Sequence, residues 1–436
     1  MTVLIAGGGI AGLALALTCR QIGLDAKVFE AVSDPRPLGV GINLQPNAVR
    51  ELDELGLMQI LPRVGVATRE WGLFSTKGLE IWAEPRGREA GYRWPQYSVH
   101  RGELQMALLD AARARLGPGG VVTGARVAGW ETTADGVAVR LATEAGERIE
   151  TGSVLIGADG LHSAVRARLY PEEGPPVWSG AVLWRGTSPA RPFRTGASMA
   201  LIGSMDRRFV AYPISPPDPA TGECRLNWIA ELRVDPAGGW KKQSWTAEAG
   251  AADFLPRFAD WRFGWIDVPE IVSRAERIYE YPMVDRDPLP GWTFGPVTLM
   301  GDAAHVMWPV GSNGASQAIM DARRLGRAFL EHGPTEAALL AYEAEQRPAA
   351  ERMIRATRSA EGPDALLGVV EDRCGGAFED VEEVIPRAEM DAFQARWKAV
   401  AGLAREALND APPIVPPIPP QAATTAAPRN RLRNPS

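Results

Sequence analysis

A strand that runs directly into a glycine turn and out into a helix constrains a chain more than any other short pattern, and this chain opens with one. Residues 2–12, "TVLIAGGGIAG", give a short apolar strand, then Gly7, Gly9 and Gly12 in G-x-G-x-x-G spacing around Ile10 and Ala11. The first glycine permits the tight turn, the second lets an anion approach the backbone, and the third lets helix pack on strand. A helix-like run from 13 to 22 and a second strand, "DAKVFEA" (25–31), complete a βαβ unit. That unit commits the chain to a parallel sheet with a right-handed crossover. The helix N-terminus favours negative charge. Glu30, 18 residues after Gly12 and followed by Ala31, ends the second strand. Its carboxylate suits a ribose 2′-hydroxyl and repels a 2′-phosphate. The loop predicts a dinucleotide and leaves FAD and NAD equally open.

A second element of similar grammar lies nearly 300 residues on, in "VTLMGDAAHVMWPVGSNGASQAIMDA" (297–322). Gly301 permits a close turn and Asp302 presents a carboxylate where phosphate would be disfavoured. Gly311, Ser312, Asn313, Gly314 and Ala315 leave bare N–H groups at the start of a helix. The carboxylate suits a sugar hydroxyl or ribityl chain; the N–H groups and helix end suit a partly anionic ring or a pyrophosphate. A cofactor that reaches both loops with a sugar alcohol between them is FAD. A third strand–turn, "VLIGADG", sets Asp159-Gly160 after an apolar run, where a carboxylate caps the following turn.

Between these elements the texture changes twice. Helical spacing is expected at 49–57, 103–116, 314–331 and 335–362, and a meander over 121–156 with turns at "ADG" and "EAGE". From 177 to 283 the chain is rich in Trp, Pro and alternating strands such as "RRFVAYPI" and "CRLNWIAEL", which predicts a mainly antiparallel sheet inserted into the nucleotide domain. After about 410 the Pro/Ala-rich composition cannot bury a core and predicts a disordered tail. The resulting partition is 1–72, 99–176 and 284–345 for the nucleotide domain, 73–98 and 177–283 for the inserted sheet, 346–410 for C-terminal helices and 411–436 for the tail.

A net charge of −6 gives no reason to expect nucleic acid. No apolar run reaches the length of a membrane helix. With no leader pattern and three cysteines (Cys19, Cys224, Cys374) without metal spacing, the expectation is a cytoplasmic protein, monomer or homodimer, with no bound metal. His100, His162 and His305 are expected to fix turns.

The three motifs, in this order and spacing, resemble G-x-G-x-x-G, DG and GD of the single-component, para-hydroxybenzoate-hydroxylase-like flavoprotein monooxygenases. The stretches "RPLGVGINLQPNAV" (36–49), "HRGELQMALLDAARARLG" (100–117), "RFVAYPIS" (208–215) and "YPMVDRDPLP" (281–290) resemble the phenazine-modifying monooxygenase of pyocyanin biosynthesis within that family. The resemblance implies an α/β fold: a Rossmann-like, GR2-type FAD domain carrying an inserted antiparallel substrate sheet and C-terminal helices. It implies that Glu30 binds the adenosine ribose, Arg101 the pyrophosphate or ribityl region, Val127 the adenine side and Asp302 the ribityl side. Residues 311–315 and Asn43 would meet the isoalloxazine, and Asp159-Gly160 would serve both FAD and NAD(P)H. NAD(P)H is then the reductant, O2 the co-substrate, and a C4a-hydroperoxyflavin oxygenates a phenol, aromatic acid or fused heteroaromatic, with or without loss of a ring carboxylate. Trp308 and Pro309 would flank the reacting centre, with no side chain singled out as catalytic. Arg208, Tyr212, Trp184 and Trp308 are the expected substrate contacts, Arg208 as the anchor for a carboxylate or phenolate. Trp308 stands where the phenazine enzyme has tyrosine.

Three rivals remain open on the same residues. A Baeyer–Villiger, epoxidising or drug-inactivating flavoenzyme would share the fold. A halogenase is disfavoured because "WRFGWIDVP" has the wrong spacing for its tryptophan motif. A non-catalytic binder of aromatic compounds would show no substrate-stimulated NAD(P)H oxidation.

Overall fold

The computed structural model describes residues 1–234, 248–359, 362 and 364–416. Six strands form the first sheet, in the order Thr293–Phe294, Val297–Leu299, Val154–Gly157, Thr2–Ala6, Asp25–Glu30 and Val121–Thr123. All neighbours run parallel except the first pair. Val3 to Ala6 are buried because both faces of the sheet are covered. Helix Ile10–Gln21 lies on one face, with Gly12 against Ile5, and packs on helices Arg101–Leu116 and Gly314–His332. On the other face Gly152 packs on Leu4 from an antiparallel meander of Ala125–Thr133, Gly136–Thr143 and Gly146–Gly152. The meander expected over 121–156 is thus shorter. Val121–Thr123 joins the parallel sheet as its edge, because residues 28–30 offer it a free ladder.

The second sheet has seven strands: Ile278–Asp285, Val177–Ala190, Cys224–Arg233, Arg207–Pro213, Ser198–Gly203, Glu70–Phe74 and Glu80–Pro85. Only the pair Ser198–Gly203 and Glu70–Phe74 is parallel. One face carries an apolar core with Trp228, Phe209, Phe254 and Trp261. The C-terminal helices close part of the other: Leu366, Leu367 and Val370 pack with Trp71, Leu73 and Tyr212.

A small antiparallel sheet (Gly41–Leu44, Gln96–His100, Gly65–Thr68) joins the two halves. At the joint Gly41 donates its N–H to Asn227 Oδ1 (2.6 Å) and accepts at its carbonyl from Arg185 Nη2 (2.9 Å). A Cβ there would sit 2.7 Å from both Asn227 and Tyr212, so only glycine fits without rearrangement.

The expected 335–362 helix spans Glu336–Arg358. The tail expectation is corrected at its start: Val415 is 2% exposed, held near Gly326, because a short helix, Arg405–Asp410, brings the chain back onto the core. Residues 417–436 lie outside the described residues. Among the described residues no helix is long and apolar enough to cross a membrane.

Candidate active site

A cavity of about 560 Å³ opens between the C-terminal ends of the parallel strands and the seven-stranded sheet. Ligands of open α/β sheets bind at such strand ends. At one end it is lined by Gly7, Gly9, Ile10, Ala11, Glu30 and Ala31, beside Arg101, Val127, Asp159 and Gly160. Asn43, Asp302, Gly311, Ser312, Asn313, Gly314 and Ala315 line its middle stretch of sequence-distant residues, next to Trp308 and Pro309. Arg208 and Tyr212 line it from the seven-stranded sheet. Gly12 and Gly301 stand behind the wall. A Cβ at Gly12 would lie 2.1 Å from the Gly7 carbonyl oxygen, and Gly301 (φ +60°) turns beside Ala11.

The glycine loop is held from several sides. Gly7 has φ +104° and passes so close to Ala158 that a Cβ would stand 2.4 Å from its carbonyl oxygen. Glu30 accepts from Gly8 N–H (2.7 Å) and Val32 N–H (2.8 Å), keeping lone pairs for a diol. Gln105, unremarked in the sequence, donates to the Gly8 carbonyl (2.9 Å) and lines the cavity. Asp159 accepts from Ser163 Oγ, Ala164 N–H (2.8 Å) and Val165 N–H (3.3 Å). Burial raises its pKa, against the pull of those donors.

The GD turn rests on a buried carboxylate. Asp321, fully buried on helix Gly314–His332, accepts from Gly301 N–H (2.9 Å), His305 Nε2 (2.5 Å) and Gln346 Nε2 (2.6 Å). Burial opposes the His305 imidazolium, but Asp321 outweighs it and the pKa is raised. His305 therefore serves the turn, while Asp302 faces the cavity. His100 likewise caps helix Arg101–Leu116, its Nδ1 accepting from Glu103 N–H (3.2 Å). In the following loop Ser312 adopts φ +55°, an uncommon choice for a residue with a Cβ, next to Gly311 at φ +69°. Trp397, from a C-terminal helix, lies over Gly311 where a Cβ would be 2.1 Å from its ring.

Strand alternation decides the substrate side. Leu183, Arg185, Met199, Leu201, Ile229 and Met283 line the cavity, while their neighbours Trp184, Ala200, Ile202, Trp228 and Ala230 point into the opposite core. Trp184 is one of those neighbours. It stacks on Phe254 (5.0 Å between centroids) and donates to Glu280 (3.0 Å), so the expected substrate contact is corrected: the residue belongs to the core face. Arg208 does face the cavity, but it is 5% exposed and bound by Glu231 (2.6 and 3.0 Å) and by Asp364. Burial disfavours its charge and the two carboxylates restore it, leaving the pKa raised. Burial pushes the Tyr212 hydroxyl up to about 12. Arg185 and Glu231 follow from Arg208 and Tyr212 by the two-residue period only once the strand pairing is known, and the sequence carries no signal for that pairing. Asp364 does not follow even then, since nothing local ties it to position 208.

The residues fit FAD. Nothing lies within 4 Å of the Cβ positions of Gly9, Gly160 and Gly314, so the backbone there is bare toward the cavity. Asn43 Nδ2 and both side-chain polar atoms of Asn313 are buried without a partner among the described residues, although Asn43 Oδ1 accepts from Ser98 (2.7 Å). Buried amides in a protein are ordinarily satisfied, so these suit the polar edge of a bound group.

Comparison with known proteins gives the same assignment. A family model described as an FAD binding domain matches residues 1–245 and 267–357. The chain is 44% identical to the phenazine 1,6-dicarboxylic acid hydroxylase of Lysobacter antibioticus, over 85% of this chain and 92% of that one. It is 33% identical to the aurachin C monooxygenase/isomerase of Stigmatella aurantiaca, over 79% and 84%. Among solved structures, Klebsiella pneumoniae HpxO complexed with FAD and uric acid superposes with a TM-score of 0.69 at 23% identity, covering 94% of this chain and 95% of that one. That likeness carries the fold. The chain belongs to the FAD-binding-domain family and, within it, to the FAD-dependent aromatic monooxygenases.

Proposed function

We propose that this enzyme consumes NAD(P)H and O2 to hydroxylate an aromatic acid, phenol or fused heteroaromatic, with or without loss of a ring carboxylate. The observation that supports this most is one continuous cavity. It joins the glycine loop, the GD loop and an apolar sheet face that includes Leu183, Leu201, Ile229 and Met283. When bound, FAD supplies the transfer of electrons from nicotinamide and the activation of oxygen. The chain's own part is to hold and to shield. In this reading Glu30 accepts from the adenosine ribose, the bare N–H groups near Gly9 meet the pyrophosphate, and Asp302 accepts from the ribityl chain. Residues 311–315, Asn43 and Asn313 orient the ring edge, and Asp159-Gly160 serve the FAD and NAD(P)H side. Trp308, Pro309 and the apolar sheet face keep water from the reacting centre and fit a flat substrate. Residues 1–72, 99–176 and 284–345 then carry the cofactor, and 73–98 and 177–283 the substrate, under the C-terminal helices of 346–410.

The test is to purify the protein, measure bound flavin, and follow NADH, NADPH and O2 consumption with phenazine 1,6-dicarboxylic acid and salicylate, identifying products by mass. A yellow protein with substrate-stimulated consumption is expected, with a product heavier by one oxygen or, where the ring carboxylate leaves, changed by one oxygen gained and one carbon dioxide lost. A colourless protein that does not take up FAD, or ligand binding without stimulated oxidation, would refute the reading.

A further inference from the structure

Two arginines of the seven-stranded sheet line the cavity, and their surroundings differ in charge. Arg208 is held between Glu231 and Asp364, so the cluster sums to one negative charge. An arriving carboxylate meets two acids already bound to Arg208. Arg185 sits on Val177–Ala190, on the same face. Among the described residues no carboxylate pairs with it. Its Nη2 holds the Gly41 carbonyl (2.9 Å), and its guanidinium lies 6.0 Å from the Tyr281 ring. Its Nε is buried without a partner among the described residues. Clamping the Gly41 joint and meeting Tyr212 occupy part of the fork and leave a half-buried charge at the cavity wall with no counter-charge among the described residues. A charge drawn partly out of water without a counter-charge is costly, so it marks a place where a ligand completes the site.

We propose that Arg185, and not Arg208, receives the anionic end of the substrate, and that the substrate is an aromatic compound carrying a carboxylate or phenolate. The inference rests on the function proposed above and names the residue and charge that select the ligand. Two neighbours support it. The Tyr212 oxygen accepts from Arg185, and its hydroxyl, pushed up to about 12, stays protonated and keeps its own hydrogen for a ligand. Arg101 adds a second positive field from the cofactor side of the cavity. Glu231 and Asp364 do the opposite work at the far side: they repel a second anion and accept from a donor such as a ring N–H or hydroxyl. The geometry thus orients a substrate with its acid at Arg185 and a donor toward Glu231.

The test uses FAD-loaded protein without reductant. Ligand binding is read from the perturbation of flavin absorbance, with phenazine 1,6-dicarboxylic acid against its diamide and salicylate against salicylamide. The wild-type protein is expected to prefer each acid by about tenfold or more, the worth of one charge-assisted pair. Arg185→Gln brings the ratio near one with FAD affinity unchanged, and Arg185→Lys keeps part of the preference. Equal binding of acid and amide by the wild-type protein overturns the proposal and needs no variant. So does a preference that survives in Arg185→Gln, or a loss of FAD with the preference intact. If Arg185→Gln fails to fold, the Lys variant and the wild-type ratio decide. A preference for acids without stimulated NAD(P)H oxidation would instead refute the proposed function.

Discussion

The three glycines of the opening loop fill one motif, yet alanine at each is expected to do something different. At Gly9 the backbone is extended (φ −78°, ψ −177°), and nothing lies within 4 Å of a new Cβ. Alanine is a weaker N-cap than glycine by roughly 0.5 kcal/mol, and it restricts the unfolded chain by about the same amount. The net stability change is therefore within about 0.5 kcal/mol. The methyl group enters the cradle itself. Displacing one charge-assisted backbone hydrogen bond costs about 1.5–3 kcal/mol, or roughly ten- to a hundredfold in FAD affinity. At Gly12 the balance reverses. The methyl group meets the Gly7 oxygen at 2.1 Å, behind the cavity wall, and overpacking costs about 1–3 kcal/mol in fold stability. At Gly7 the same overpacking against Ala158 adds to a left-handed φ that costs an L-residue about 1–2 kcal/mol. The assay is urea unfolding of each apoprotein paired with FAD titration by fluorescence quenching. A Gly9→Ala protein that binds FAD as tightly as wild type would show that the cofactor does not use the cradle. A Gly12→Ala protein as stable as Gly9→Ala would show that the helix–strand contact is not where the geometry puts it.

Other expectations concern parts of the fold that support the cavity. Arg323 is fully buried and joins three helices through Glu51 (3.0 Å), Thr18 (3.2 Å) and Gln21 (2.5 Å). Arg323→Met should lower stability by about 3 kcal/mol, because Glu51 loses its buried partner while keeping Arg50. Adding Glu51→Gln should restore more than half of it in a double-mutant cycle. The raised pKa of His305 means that the folded state holds a proton the unfolded state releases near pH ~6.5. Its contribution is full below that pH and is lost as pH rises through the folded value. Asp321→Asn should flatten the stability profile across that window, and an unchanged slope would count against the ion pair. Trp184→Leu should cost about 2–4 kcal/mol while leaving the KM for aromatic substrates within twofold. A tenfold rise in KM at unchanged melting temperature would return Trp184 to the substrate.

Much of the cofactor side was legible because its constraints are local. A glycine that must turn, a strand before it and a helix after it fall within a dozen residues, as at Gly7–Gly12 and Gly301–Asp302. The substrate side is set by long-range pairing. In "AVLWRGTS" the tryptophan is the conspicuous aromatic, but the phase of the strand gives the cavity to Arg185 and the core to Trp184. That phase depends on partners such as Ile229 and Ala230, which sequence order does not reveal. The sequence leads to Arg208 as an anchor for a carboxylate or phenolate; the structure sets it on a cavity-facing strand with Glu231 and Asp364 bound to it. Its partner Asp364 is 156 residues away and comes from the C-terminal segment, so the neutralisation was invisible. Sequence separation likewise hid Trp397 over Gly311.

The two-residue alternation of the seven-stranded sheet has a consequence for how such an enzyme can change. Along one strand, Leu183 and Arg185 answer to the ligand while Trp184 answers to the fold, and the same division runs through residues 199–202, 208–211 and 228–231. Selection on substrate and selection on stability therefore act on interleaved letters of one text. A population of variants can drift at the cavity-facing letters without eroding the core behind them. A library confined to positions 201, 210 and 229 would sample new ligands with the core behind them intact, whereas one of equal size at 202, 209 and 228 would mostly sample unfolding.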